Sequence, residues 1–165
     1  MNVKTFSTLL ATLTISSICH SQSMSFSRIS NDAESSGTAG MTMMTSSAFA
    51  VSNNISLLPF ATESLNLKVS YTGYGNPTAN NISLGSGLKV GDKLGIGLTA
   101  SYIGHSEYGI TSETGTGNGK FSPSDLKLGL GAGLKILDNI SAGLSIYYLN
   151  ESLTSNFKLN SIAAD

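Results

Sequence analysis

The chain of 165 residues is poor in the residue types from which most catalytic and metal sites are built. It has one cysteine, Cys19, two histidines, His20 and His105, and no tryptophan. Only 12% of its residues are charged, about half the fraction in an average soluble domain. The formal net charge is −1 without a basic stripe, which argues against nucleic-acid binding. We therefore expect no enzyme, no cofactor and no metal site.

Long apolar runs are also missing, and none approaches the roughly 20 residues of a membrane helix. The 40% of hydrophobic residues instead alternate with polar or glycine residues in six segments. Successive side chains of a strand point to opposite faces, so each segment is apolar on one side only. Most are about 10 residues long, which suits a tilted transmembrane strand. The segments are Leu65–Thr72, Asn81–Val90, Leu94–Tyr102, Leu126–Ile136, Ile140–Tyr148 and a weaker Asn156–Ala163.

The connections between these segments alternate between short and long. Gly91-Asp92 and Asp138-Asn139 are tight turns, whereas His105–Ser124 is long and rich in Gly, Ser and Thr. Outer-membrane barrels place short turns in the periplasm and long loops outside the cell. Tyrosines gather at membrane interfaces, which supports this orientation. They mark the predicted outer rim: Tyr71, Tyr74, Tyr102, Tyr147 and Tyr148.

These features predict an all-β protein with an antiparallel transmembrane β-barrel in residues 63–165. Single-chain barrels of this class have at least about eight strands, so we expect the N-terminal six strands of a larger barrel. Residues 22–62 lack the alternation and are predicted to be a short irregular or helical segment that plugs the barrel or packs on its rim. The glycine-rich face of the fourth strand either eases strand coiling, which we favour, or leaves space for a plug or ligand.

The N-terminus has the pattern of a secretory signal peptide over residues 1–21. Lys4 precedes an apolar stretch, Leu9–Ile18, and a cleavage site that leaves Gln22 first. Processing as a lipoprotein at Cys19 is the alternative. The signal peptide, together with the one-sided apolar strands, predicts export to the outer membrane, with the lipid bilayer as a partner.

The predicted external loop contains the candidate functional residues. It carries one histidine, two carboxylates and a lysine, which we expect to be solvated or to contact a partner. A loop without function is the alternative. The candidates for partner contact are His105, Glu107, Tyr108, Glu113 and Lys120.

Several short elements also resemble a known family. Asn31-Asp32-Ala33-Glu34 followed by Ala39-Gly40-Met41 resembles the "D-A-R…G-M-G" opening of PorV/PorQ-type proteins, in the FadL-like barrel group of Bacteroidetes, with Glu34 in place of Arg. Leu65–Tyr74 resembles their first strand, and Ile140–Leu153 resembles a later one. Phe121–Asp125, followed by a glycine-rich strand, resembles the end of their long loop. Ala163-Ala164-Asp165 resembles the place where those proteins continue into another strand.

The resemblance implies a larger barrel without enzymatic activity that takes part in type IX secretion. Its implied partners are the C-terminal domains of secreted cargo and the surface-attachment machinery. A FadL-like pore for hydrophobic small molecules is the alternative. A soluble β-barrel carrier is a third reading, but such a carrier would turn its apolar face inward.

Overall fold

The computed structural model describes residues 24–39, 41, 48–75, 79–111, 117–154 and 157–165. The predicted signal peptide, Cys19, Gln22 and Glu113 lie outside these residues. The described chain is mostly antiparallel β-sheet with a few short helices. None of those helices is long and apolar enough to cross a membrane. The strands are β1 (Leu65–Tyr74), β2 (Ala79–Val90), β3 (Leu94–His105), β4 (Tyr108–Thr111), β5 (Gly117–Phe121), β6 (Ser124–Leu137), β7 (Ile140–Thr154) and β8 (Phe157–Ala164).

Six strands form one sheet in the order β1-β2-β3-β6-β7-β8, and each pair is antiparallel. The outer edges of β1 and β8 have no neighbouring strand among the described residues, so the sheet is open there. The expected barrel is thus not closed within this part of the chain. The tight turns after β2 and β6 lie at one end of the sheet, and Gly91 adopts a positive φ of 62°.

The connection from β3 to β6 is more ordered than the sequence suggested. We expected a long loop, but β4 and β5 pair as a separate two-stranded sheet. It lies beyond the end of the main sheet opposite the tight turns, because β3 ends and β6 begins at that end.

The main sheet is apolar on its exposed face. Alternating side chains of the paired strands form this outer face, and the register continues it across the sheet. Most of its large side chains are exposed, as in the mid-strand residues Leu98 (56%) and Leu130 (54%). The face includes Leu65, Leu67, Val69, Ile82, Leu84, Leu88, Ile96, Leu98, Leu128, Leu130, Leu134, Leu144 and Ile146.

The N-terminal segment covers the opposite, inner face of the sheet. It forms a 3-10 helix at Ser25–Arg28, helix α1 (Ala33–Gly37), helix α2 (Ala50–Asn53) and a second 3-10 helix at Ile55–Phe60. The Asp32 side chain caps α1 by accepting a hydrogen bond from the Ser35 amide at 2.5 Å. This cap satisfies an amide that a short helix leaves without a partner.

The hydrophobic core lies between this segment and the inner face. Buried side chains of the segment meet the few large side chains that the sheet turns inward. The segment contributes Met24, Phe26, Ala50, Val51, Ile55, Leu58 and Ala61, and the sheet contributes Ala79, Ile103, Tyr147 and Leu149.

One rim tyrosine and one face assignment made from sequence are wrong. The alternation put Tyr147 on the polar face with Ser145, which the structure confirms. We also counted Tyr147 among the rim tyrosines, but it is 8% exposed and packs in the inner core. In β8 we expected Leu159 and Ala163 on the apolar outer face, but both pack against the inner core, while Ile162 is 77% exposed. The register between β7 and β8 shifts at Ser152/Thr154, and the weak alternation of β8 could not fix its face.

Candidate functional site

The inner face carries a trough of small residues that crosses the strands. In one row of the register, Gly87, Gly97, Gly131 and Ser145 lie side by side on β2, β3, β6 and β7. A neighbouring row contains Gly95, Gly133 and Gly143. The N-terminal segment from Phe49 to Pro59 lies in this trough.

The contact is so close that a methyl group on these glycines would collide with the segment. A Cβ at Gly97 would lie 2.6 Å from Cγ2 of Val51, and one at Gly95 would lie 2.8 Å from Cβ of Leu58. Such distances are well inside van der Waals contact. The glycines therefore admit the segment, which is the reading we did not favour from the sequence.

Ile55 is the segment's deepest point of contact with β6 and β7. A Cβ at Gly143 would lie 2.5 Å from Cγ2 of Ile55, and one at Gly133 would overlap the Ile55 carbonyl oxygen. The Ile55 side chain is 6% exposed. It occupies the volume that ordinary side chains on these strands would fill.

Polar groups of the inner face hold the same segment. Ser145 and Tyr147 both donate hydrogen bonds from their hydroxyls to the Val51 carbonyl oxygen. Ser52 donates to the Thr99 hydroxyl at 3.3 Å. All buried side-chain nitrogen and oxygen atoms of the described residues have hydrogen-bond partners. Side chains on the inner face of the sheet therefore hold the segment by hydrogen bonds as well as by packing.

Three lysines of the inner face add contacts along the segment. Lys127 donates to the Ser27 carbonyl at 3.0 Å, and Lys89 donates to the Ala61 carbonyl at 3.0 Å. Lys68 forms an exposed ion pair with Glu34 at 2.8 Å. The three contacts fall on β6, β2 and β1, so they fasten the segment at widely spaced points.

The expected partner-contact residues are only partly brought together. Glu107 and Lys120 form an exposed ion pair of 3.2 Å across the start of the β4–β5 hairpin. Tyr108, the first residue of β4, is 45% exposed. His105 does not join this pair, and the expected Glu113 contribution falls outside the described residues.

His105 was expected to be a solvated loop residue, but its side chain is 30% exposed and paired. Its Nε2 lies 3.0 Å from Oδ2 of Asp125, a buried carboxylate at the beginning of β6. The pair joins the end of β3 to the start of β6 at the base of the hairpin. Sequence reasoning missed Asp125 because the two residues are adjacent only through the strand register.

Among the described residues, one cavity lies on the inner side of the sheet and another at its tight-turn end. The first, of about 400 Å³, lies between the Ser25–Asn31 stretch, helices α1 and α2 and β6, and it includes Lys127 and Arg28. The second, of about 660 Å³, lies at the tight-turn end beside Lys93 and Asp138. Lys135 donates to Asp138 at 2.9 Å, and this hydrogen bond with its positive charge holds the pKa of Asp138 below its usual value.

Neither cavity has the side chains of a familiar catalytic or metal centre. Among the described residues, no three His, Cys, Asp or Glu side chains are grouped as metal ligands would be. The chain matches no protein-family profile, no curated protein and no solved structure. The candidate functional surfaces are therefore the covered trough, the first cavity and the β4–β5 hairpin.

Proposed function

We propose that this sheet is part of the wall of an outer-membrane β-barrel. The main observation behind this proposal is that the two faces are arranged opposite to those of a soluble protein. Large aliphatic side chains are exposed, while glycine and polar residues are covered by the N-terminal segment. Burying apolar surface is the main favourable term of folding in water, so a soluble β-barrel carrier would place this face inside. Lipid chains are the environment that such an exposed face fits.

The exposed tyrosines support the same placement. Tyr71 and Tyr102 lie in one row of the register, separated only by Ile82. Tyr148 pairs with Leu128, which is two residues further from the hairpin end than Leu126, the partner of Tyr102. Tyr71 and Tyr102 are near the end that leads to the β4–β5 hairpin, where an interface belt would lie if that hairpin faces outside.

The open edges require further strands in this proposal. Unpaired backbone N–H and C=O groups cost several kcal/mol each in the hydrocarbon core. Among the described residues, the edge without a neighbouring strand is 10 residues long in β1 and 8 residues long in β8. Strands from beyond this chain or from another copy would close the barrel.

Within that barrel, we place the protein in a docking role without enzymatic chemistry, like the PorV/PorQ-type components that the sequence resembles. Two features favour docking over passage. The N-terminal segment fills the inner trough, and the β4–β5 hairpin presents an exposed rim with Tyr108 and the Glu107–Lys120 pair. Secreted cargo domains and surface-attachment machinery would bind at this rim.

A FadL-like pore for hydrophobic molecules is the second candidate. The observation that favours it is the presence of a cavity on the inner side of the wall and another at its tight-turn end. Against it, both cavities are bordered by lysine, and most residues around the first bear a hydroxyl, an amide or a charge.

Spin labels test the membrane wall directly. In a Cys19→Ser background, a nitroxide at Leu98→Cys on the outer face should collide more with oxygen than with a water-soluble nickel chelate. A label at Ser70→Cys on the inner face of β1 is the matched control and should show the reverse. Equal nickel accessibility at both positions in reconstituted vesicles would refute the wall.

Deletion of residues 107–120 tests docking against passage. Docking predicts that surface display of a cargo protein with a C-terminal secretion signal falls, while uptake of a long-chain fatty acid is unchanged. A loss of uptake with normal display would instead favour the pore. The Glu107→Gln variant controls for loss of the surface ion pair alone. If the deletion changes neither readout, the hairpin has no role in either function.

A further inference from the structure

The first inner cavity has an unusual combination of polar groups. Two of the residues around it are cations, Arg28 and Lys127, and none carries a carboxylate. Most of the others bear a hydroxyl or an amide, and only two are apolar. The polar set is Ser27, Ser30, Asn31, Ser35, Ser36, Ser52 and Asn53.

Lys127 brings a largely buried ammonium group to this cavity. Lys127 is only 8% exposed. Its ammonium donates one hydrogen bond to the Ser27 carbonyl and lies 4.9 Å from the centre of the Tyr147 ring. Neither partner carries a negative charge. An ammonium has three donors, so this one keeps the capacity to bind another acceptor.

The nearest carboxylate along β6 does not neutralise it. Asp125 lies two residues away on the same face, but its Oδ2 is paired with His105. The salt bridges of the described residues do not include Lys127. Asp165, after the end of β8, acts on this ammonium through space, but no salt bridge of the described residues joins the two. The ammonium can therefore still bind an anion that enters the cavity.

We propose that this cavity binds a small hydroxylated anion, of the size of a sugar acid or a sugar phosphate. Lys127 and Arg28 would hold the carboxylate or phosphate group, since charge-assisted hydrogen bonds to such groups are the strong ones. The hydroxyls of Ser30, Ser36 and Ser52 already donate within the protein, so they would accept from the ligand hydroxyls. Ser27 and Asn31 would donate to the ligand or accept from it. A volume of about 400 Å³ is within the range of small-molecule sites. The proposal does not depend on the membrane wall or on docking.

Isothermal titration calorimetry of the full chain in detergent micelles tests the proposal. The probes are glucuronate and glucose 6-phosphate, with glucose as the uncharged control. We expect saturable binding of at least one anion and no binding of glucose. The anion that binds identifies the group as carboxylate or phosphate.

Two variants locate the site. Arg28→Gln, at an exposed side chain, and Lys127→Met, which keeps the length of the buried stem, should each weaken the bound anion by about 10-fold or more. Lys93→Gln is the matched control, since Lys93 borders the second cavity and its removal should leave affinity unchanged.

Several results would overturn the inference. These are the absence of binding by either anion, equal binding of glucose, or loss of affinity in Lys93→Gln but not in Arg28→Gln. Should Lys127→Met fail to fold, Arg28→Gln against Lys93→Gln still decides the question.

Discussion

A single methyl group at Gly97 distinguishes the two roles that glycine could have on the inner face. If the glycines only eased strand coiling, alanine would be neutral or would stabilise the strand by up to about 1 kcal/mol, because glycine loses more entropy on folding. In the structure, however, the new Cβ would lie 2.6 Å from Val51 Cγ2, 3.1 Å from the Ser86 carbonyl oxygen and 3.3 Å from Ile55 Cδ1. We therefore expect Gly97→Ala to lower the free energy of unfolding by about 1–3 kcal/mol, the range for overpacking.

The assay is equilibrium urea unfolding in detergent micelles, followed by circular dichroism because the chain has no tryptophan. Gly109→Ala is the matched control, since a Cβ there would have no neighbour within 4 Å. Val51→Ala provides the second arm of a double-mutant cycle. Removing the Val51 methyl groups should restore space, so Gly97→Ala should cost less in that background. A neutral Gly97→Ala, or a cost unchanged by Val51→Ala, would refute the close contact with the segment.

Three further predictions concern the outer face, the orientation and the base of the hairpin. Leu130→Arg in the middle of β6 should cost about 2–4 kcal/mol of folding free energy in vesicles, whereas Ile136→Arg near the turn on the same face should cost about 1 kcal/mol or less. Equal costs would argue against a depth-dependent lipid contact. In a Cys19→Ser background, Gly109→Cys should react with an impermeant maleimide on intact cells, and Asp92→Cys should react only after permeabilisation; the opposite pattern would invert the orientation. Asp125→Asn, which weakens the buried pair with His105, should cost about 1–3 kcal/mol, whereas Glu107→Gln in the exposed pair should cost less than about 1 kcal/mol. Similar losses in both would mean that burial does not strengthen the His105 contact.

The sequence predicted those parts of the fold that depend on local alternation. The long segments of β2, β3, β6 and β7 have a period of two over many residues, and the structure puts their apolar residues on one face as expected. In β8 the pattern is short and mixed, because Ile162 indicates one apolar face while Leu159 and Ala163 indicate the other. A shift of one residue reverses every side chain, so the choice depends on the shifted register with β7.

The site depends on contacts between distant residues, which local patterns do not encode. Nothing in the sequence around Val51 indicates that its carbonyl meets Tyr147, and a tyrosine among rim tyrosines is most simply read as one of them. Lys127 likewise looks like any lysine on a polar strand face until the serine-rich stretch beginning at Ser27 is packed above it. The β4–β5 hairpin was missed because its glycine-rich composition is typical of loops.

The bond between Val51 and Tyr147 has a consequence for how the protein is made. The two residues are 96 positions apart, so the segment synthesised first completes its hydrogen bonds only when β7 has joined the sheet. Forming such distant contacts requires closing a long loop first, which slows folding. Phe49, Val51 and Leu58 can pack on β2 and β3 before then, but the part of the trough on β6 and β7 that contacts Ile55 is missing. This stretch is a target for aggregation or for a holding chaperone until those strands form. Burial of the N-terminal segment around Ile55 therefore has to wait until β6 and β7 have joined the sheet.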